Sequence, residues 1–144
     1  MPPYFIPILL LSILVTLPSA GVLAALVGGW TKIAKVYPLL TPYEGATIVG
    51  SGGMGIANYG YSLVLGGNSA GLYLYVTPWL RLGHSPLFIP WEDITAEEFQ
   101  SLFYPRVLLG FKKCPGTFLR MPKKVALKVR DLPGCEKAFQ GIAL

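Results

Sequence analysis

Histidine occurs once, at His84, and cysteine twice, at Cys114 and Cys135, among 144 residues. One distant imidazole and two thiols supply no metal-ligand spacing, so a zinc-type centre is not expected and no cofactor is implied. Acidic side chains are missing altogether between Glu44 and Glu92. That gap bears on Gly50-Ser51-Gly52-Gly53-Met54-Gly55, which satisfies G-x-G-x-x-G after the strand-like Ala46-Thr47-Ile48-Val49. A dinucleotide site needs a helix start after those glycines and an acid about 20 residues further on to hold the ribose. Neither is present, and the glycines read better as a turn or bulge in a β meander.

Charge of either sign is also missing from Met1 to Thr31, where Leu, Ile, Val, Ala and Phe predominate. A helix from Tyr4 to Gly29, rising ~1.5 Å per residue, is long enough to cross a ~30 Å hydrocarbon core. A secretory signal is the rival reading, with Pro18-Ser19-Ala20 or Ala24-Ala25 imitating a cleavage site. Against it, no Lys or Arg precedes Thr16 and the apolar run continues through Val27. A retained anchor, with Met1 kept, is therefore expected. Lys32 and Lys35 follow the span, which places the N-terminus outside and the remainder in the cytoplasm, as in a bacterial inner membrane. Tyr4 at one end and Trp30 at the other suit the aromatic belts of the two interfaces.

Small residues recur every four positions in the second half of the span. Ala20, Ala24 and Gly28 form one row, and Gly21, Ala25 and Gly29 a parallel one. Such rows let a second transmembrane helix approach closely, although Gly and Ala are common in membrane helices for other reasons. Pro18 lies just before them and is expected to bend the helix.

The net charge of +5 belongs to the rest of the chain. Lys112, Lys113, Arg120, Lys123, Lys124, Lys128 and Arg130 gather in the last third, and on a tethered domain they form a contact surface for anionic headgroups or simply a solvated face. The tether and the lack of any nucleic-acid motif make nucleic acid an unexpected partner. In the cytoplasm the two cysteines stay reduced.

The organisation that follows is a span at 4–29, a juxtamembrane helix and linker at 30–45, a β domain with a capping helix at 46–132, and a tail at 133–144. Short runs of β-branched, aromatic and leucine residues between Gly, Pro and Asn predict strands at 46–50, 60–66, 71–77, 86–91, 98–104, 106–112 and 117–121. Gly66-Gly67-Asn68-Ser69 supplies a hairpin turn. Leu72 and Leu74 share one strand face, and Leu87, Ile89 and Trp91 another. After Pro122 a helix carries Val125, Val129 and Leu132 on its inner side. The fold class is one transmembrane helix plus about seven antiparallel strands in a small barrel or sandwich with a C-terminal helical cap.

Catalytic arrangements are weak. A Ser-His-acid site would need Ser85 or Ser51, His84, and Asp93 or Glu92, yet adjacent Ser85 and His84 on an extended segment point to opposite faces. Glu92, Asp93, Glu97 and Glu98 read as a solvated acidic rim.

Gly29-Trp30, Gly71-Leu72-Tyr73-Leu74 and Arg81-Leu82-Gly83-His84-Ser85-Pro86-Leu87-Phe88-Ile89-Pro90-Trp91 together resemble a family of small bacterial single-pass membrane proteins. Ser85 departs from the proline usual there. The segment up to Ile94 is also similar to bacterial pleckstrin-homology-like domains. The resemblance implies a seven-stranded barrel closed by a C-terminal helix, no catalytic residues, and a binding or scaffold role at a membrane. Two classes of function follow. One is a non-enzymatic accessory subunit docked on a larger inner-membrane complex, of respiratory or photosynthetic type, through its helix and β domain. The other is a stand-alone module that binds anionic lipid or a peptide at the cytoplasmic surface.

Overall fold

In the computed structural model, which describes residues 2–142, the apolar N-terminal stretch is a single helix, α1, Phe5–Gly28. It runs unbroken through Pro18 and leaves nearly all of its apolar side chains exposed. Its few hydroxyls are satisfied within the helix: Ser12, Thr16 and Ser19 donate to the carbonyls of Leu9, Ile13 and Val15. Lipid offers a polar group no partner, so this internal satisfaction suits a span. By length and hydropathy α1 is apolar enough to cross a membrane. Gly29 ends it in the left-handed region at φ 89°, where a Cβ would be strained, and α2, Trp30–Val36, starts directly afterwards. The retention of Met1 and the last two tail positions lie outside the described residues.

Seven strands follow: β1 Thr47–Met54, β2 Ala57–Gly67, β3 Gly71–Val76, β4 Leu87–Pro90, β5 Ile94–Gln100, β6 Pro105–Phe111 and β7 Phe118–Pro122. They form one antiparallel curled sheet in the order β4-β3-β2-β1-β7-β6-β5, a half-barrel whose edges are β4 and β5. A two-sheet sandwich is not what forms. The edge at β4 is partly covered by residues 37–39: the N–H of Leu39 donates to Pro86 and that of Phe88 to Tyr37. Tyr37 ties this edge to the other side of the sheet, since its hydroxyl donates to Asp93 and accepts from the Lys113 N–H.

The glycine-rich stretch lies inside β1. Pairing with β2 slips between Gly50 and Gly52, a bulge at Ser51, and Gly55-Ile56 makes the turn that pairs Met54 with Ala57. A Cβ on Gly52 would fall 2.5 Å from the Leu63 side chain and 2.9 Å from the Arg120 carbonyl. These glycines serve close strand packing, and no helix follows them to receive a phosphate.

The concave face of the sheet buries Leu63, Leu65, Leu72, Leu74, Leu87, Ile89, Leu109 and Leu119 completely. The period-two faces expected in β3 and β4 are thus the inner ones. Helix α3, Lys123–Arg130, packs on β1, β6 and β7 through Ala126 and Val129. Three strands depart from expectation by more than a residue: β1 runs on to Met54 and not 50, β2 begins at Ala57 and not 60, and β5 is displaced as a whole. β5 begins at Ile94, not near residue 98, and Leu102-Phe103-Tyr104 forms an exposed hairpin tip. An aromatic run has strand propensity, but register with β6, from Ile94 opposite Phe111 to Gln100 opposite Pro105, outweighs it.

Candidate membrane-facing site

Three turns of the β domain converge on the last two turns of α1. A Cβ on Gly28 would stand 2.8 Å from the Met54 carbonyl and 2.9 Å from Ala57 Cβ, so the β1–β2 turn rests directly on the helix backbone. The loop after β3 runs alongside the helix higher up. A Cβ on Gly21 would lie 3.4 Å from the Leu82 carbonyl, and one on Gly83 would lie 2.9 Å from Val22 Cα and 3.3 Å from Ala25 Cβ. The β6–β7 turn completes the collar: a Cβ on Gly29 would be 3.0 Å from the Thr117 methyl, and the Cys114 thiol donates to the Lys32 carbonyl.

The small residues singled out for a second helix are therefore divided. Gly21, Ala25, Gly28 and Gly29 are buried under the chain's own turns, while Ala20 is exposed and Ala24 half-buried. Smallness permits a close approach by any backbone, and its spacing does not specify which. Trp30 also differs from expectation. It is not an interface residue facing lipid but is fully buried, because Gly29 turns the chain sharply and drives the indole into the β domain. Tyr4, Lys32 and Lys35 remain exposed.

Trp30, Tyr59 and His84 form the pin that holds the collar. The Trp30 Nε1–H donates to the Ser85 carbonyl at 2.8 Å. Its ring meets those of His84 and Tyr59 at centroid separations of 5.0 and 5.7 Å. His84 Nδ1 lies 2.8 Å from the Leu80 carbonyl and Nε2 lies 2.8 Å from the Tyr59 hydroxyl. A carbonyl can only accept, so Nδ1 carries the proton and Nε2 accepts from tyrosine. Burial holds the His84 pKa below its ordinary value and pushes Tyr59 up to about 12. Both are neutral near pH 7.

This arrangement has a pH signature. A His whose pKa is depressed by folding contributes stability that is complete above the unfolded value of about 6.5 and declines as pH falls below it. Lowering the pH from about 7.5 to 5.5 is expected to lower the melting temperature of the full chain in detergent, with His84→Gln flattening that dependence. His84→Ala, which leaves the Tyr59 hydroxyl and the Leu80 carbonyl without partners, should cost about 2–3 kcal/mol at neutral pH.

The other catalytic candidates are kept apart. Ser51 accepts the Tyr61 N–H. Ser85 is exposed and offers His84 no contact, and Asp93 is engaged by Tyr37 and Lys113. Among the described residues no group of His, Cys, Asp or Glu is placed to hold a metal ion, and the two cysteines are free. The chain matches no family model, no curated protein and no solved structure.

The collar carries exposed apolar side chains: Ile56 at 82%, Trp79 at 70% and Leu82 at 59%. Cations flank them. Arg81 sits between Trp79 and Leu82, Arg120 donates to the Gly55 carbonyl, and Lys113 stands 5.7 Å over the Tyr37 ring beside Lys112. The basic cluster is thus split. Lys112, Lys113 and Arg120 belong to the collar, whereas Lys123, Lys124, Lys128 and Arg130 ride on α3, with Lys123 paired to Glu98 and Arg130 to Asp131. The exposure of Trp79, Leu82 and Ile56 escaped sequence reasoning because each lies in a short turn segment without periodicity.

Proposed function

We propose that this chain is a non-enzymatic accessory or scaffold subunit of a membrane assembly, anchored by α1 and presenting its β domain at the cytoplasmic surface. The observation that carries this reading is the collar: the domain is not hung on a linker but seated on the helix itself, so a partner gripping either part positions both. The cations Lys32, Lys35, Lys112 and Lys113 at the helix exit support a cytoplasmic domain, since basic residues near a span favour that side. The seven strands and closing helix support the pleckstrin-homology-like reading of the domain. The sole imidazole is committed to holding the collar, which supports a role in binding over catalysis. Of the two small-residue rows, Ala20 is the position left exposed for another helix, and partners in lipid associate through such close packing.

Co-purification in mild detergent tests this. Ala20→Leu, at an exposed position, should insert and melt as the natural chain does but release its membrane partners. Retention of every partner by that variant, or absence of any partner from the natural chain, would contradict the subunit reading.

A second reading is favoured by one feature. A groove of about 520 Å³ opens beside the collar between residues 39–43 and the end of β3, with Arg81 at its rim and Tyr75 in its wall. In it the Thr77 hydroxyl is buried without a partner. An apolar groove with a cation at its rim suits an anionic lipid, and Arg81→Ala would then abolish selective retention of phosphatidylglycerol over phosphatidylcholine.

A further inference from the structure

We propose that the loop Pro78–Gly83 is inserted in the bilayer beside α1, with Trp79 and Leu82 entering the lipid and Arg81 reaching back to the headgroup phosphates; this rests on reading α1 as a membrane span. Length is the first ground. The 24 residues of α1 rise about 36 Å, more than the ~30 Å of a hydrocarbon core. A core aligned with either end of α1 extends past Gly21, the residue against which the Leu82 carbonyl lies. The loop is therefore carried to the depth of the lipid boundary or beyond it.

Ending the bilayer before Gly21 would clear the loop, but at a cost visible on the helix. Leu23, Leu26 and Val27 lie beyond that point and are exposed. A bilayer stopping short of them would leave all three in water and shorten the span to about 24 Å, a mismatch that the membrane would have to thin to meet. Lipid reaching the end of α1 covers these side chains, and with them Trp79 and Leu82.

The loop is also built for such a place. Irregular backbone is tolerated at membrane depth only where its polar groups are satisfied by protein. The Leu80 N–H donates to Thr77, the Arg81 N–H to Pro78 and the His84 N–H to Arg81. The Leu80 carbonyl accepts from the His84 ring and the Ser85 carbonyl from the Trp30 indole. Gly83, at φ 81°, lets the loop backbone lie against Val22 with no side chain between. Tryptophan prefers the interface, and arginine buries its stem while its head stays at headgroup level.

The test uses the full chain in nanodiscs of phosphatidylcholine and phosphatidylglycerol. With Cys114→Ser and Cys135→Ala as background, spin labels are placed through Leu14→Cys, Trp79→Cys, Leu82→Cys and Leu102→Cys, and their collisions with oxygen and a water-soluble nickel chelate are compared. Positions 79 and 82 should favour oxygen, less strongly than position 14, while position 102 favours nickel. Position 14 deep with 79 and 82 matching 102 would overturn the loop proposal and leave the anchor standing. Position 14 in water would overturn both. A companion measurement needs no cysteine changes. Trp30 and Trp91 are buried, so quenching of the natural chain by brominated lipid should come from Trp79 and largely disappear in Trp79→Phe. Quenching unchanged by that substitution would count against insertion.

Discussion

Trp30→Ala should lower the stability of the full chain by about 3–5 kcal/mol, a large part of the 5–15 kcal/mol typical of a domain. The indole is completely buried where α1, α2 and the loop at 78–85 meet, and its removal leaves a cavity next to His84 and Tyr59. It also strands the Ser85 carbonyl, whose partner is the indole N–H. Trp30→Phe separates the two effects: it keeps most of the packing and loses the hydrogen bond, so its cost should be about 1–3 kcal/mol. Thermal unfolding in detergent, followed by near-ultraviolet circular dichroism, reads both. Equal melting of Trp30→Ala and the natural chain would mean that the domain does not depend on its contact with the helix.

Gly28→Val should be comparably damaging, for the opposite reason. No cavity is made; atoms are forced into occupied space. The added Cβ would meet the Met54 carbonyl oxygen at 2.8 Å, and that oxygen belongs to a hairpin backbone with no side-chain rotation available to relieve it. Overpacking of this kind commonly costs 1–3 kcal/mol, and here the upper end, about 3 kcal/mol, is expected because backbone opposes backbone. The β1–β2 turn must lift off α1, which should open the Gly55 region to protease. Ala20→Val is the control. Its site is exposed, so its melting should change by no more than about 0.5 kcal/mol. Similar damage from both substitutions would remove the distinction drawn between small residues used within the chain and those left for a partner.

Much of this fold was legible because its signals are periodic. The uncharged run yields α1, the alternation of Leu72 and Leu74 and of Leu87 and Ile89 yields the inner face of the sheet, and Pro122 marks the start of α3 to within a residue. The glycine-rich stretch was legible in a negative sense: without an acid or a helix after it, a bulge was the better reading, and a bulge is what β1 contains. What was hidden depends on tertiary position. Gly21, Ala25, Gly28 and Gly29 announce that something packs closely on α1, but a loop and a helix ask for the same small residues. Trp30 beside a span looks like an interface anchor until the left-handed Gly29 turns it inward. The tryptophan proposed for the interface is instead Trp79, which is far away in sequence. His84 stands in the motif that carries the family resemblance, but that motif does not name its partners. Its partners Tyr59 and Leu80 become neighbours only once β2 is laid beside β3 and the loop folds back on the helix.

The central claim is that α1 and the β domain form one rigid body, joined through the collar. Pulsed electron resonance between spin labels introduced by Leu9→Cys on α1 and Lys124→Cys on α3, in a background lacking the two natural cysteines and with the full chain in nanodiscs, measures this directly. The account predicts one narrow distance distribution, which broadens when Gly28→Val is added. A broad distribution in the natural background, unaltered by Gly28→Val, would show a domain swinging freely about Gly29 and would contradict it.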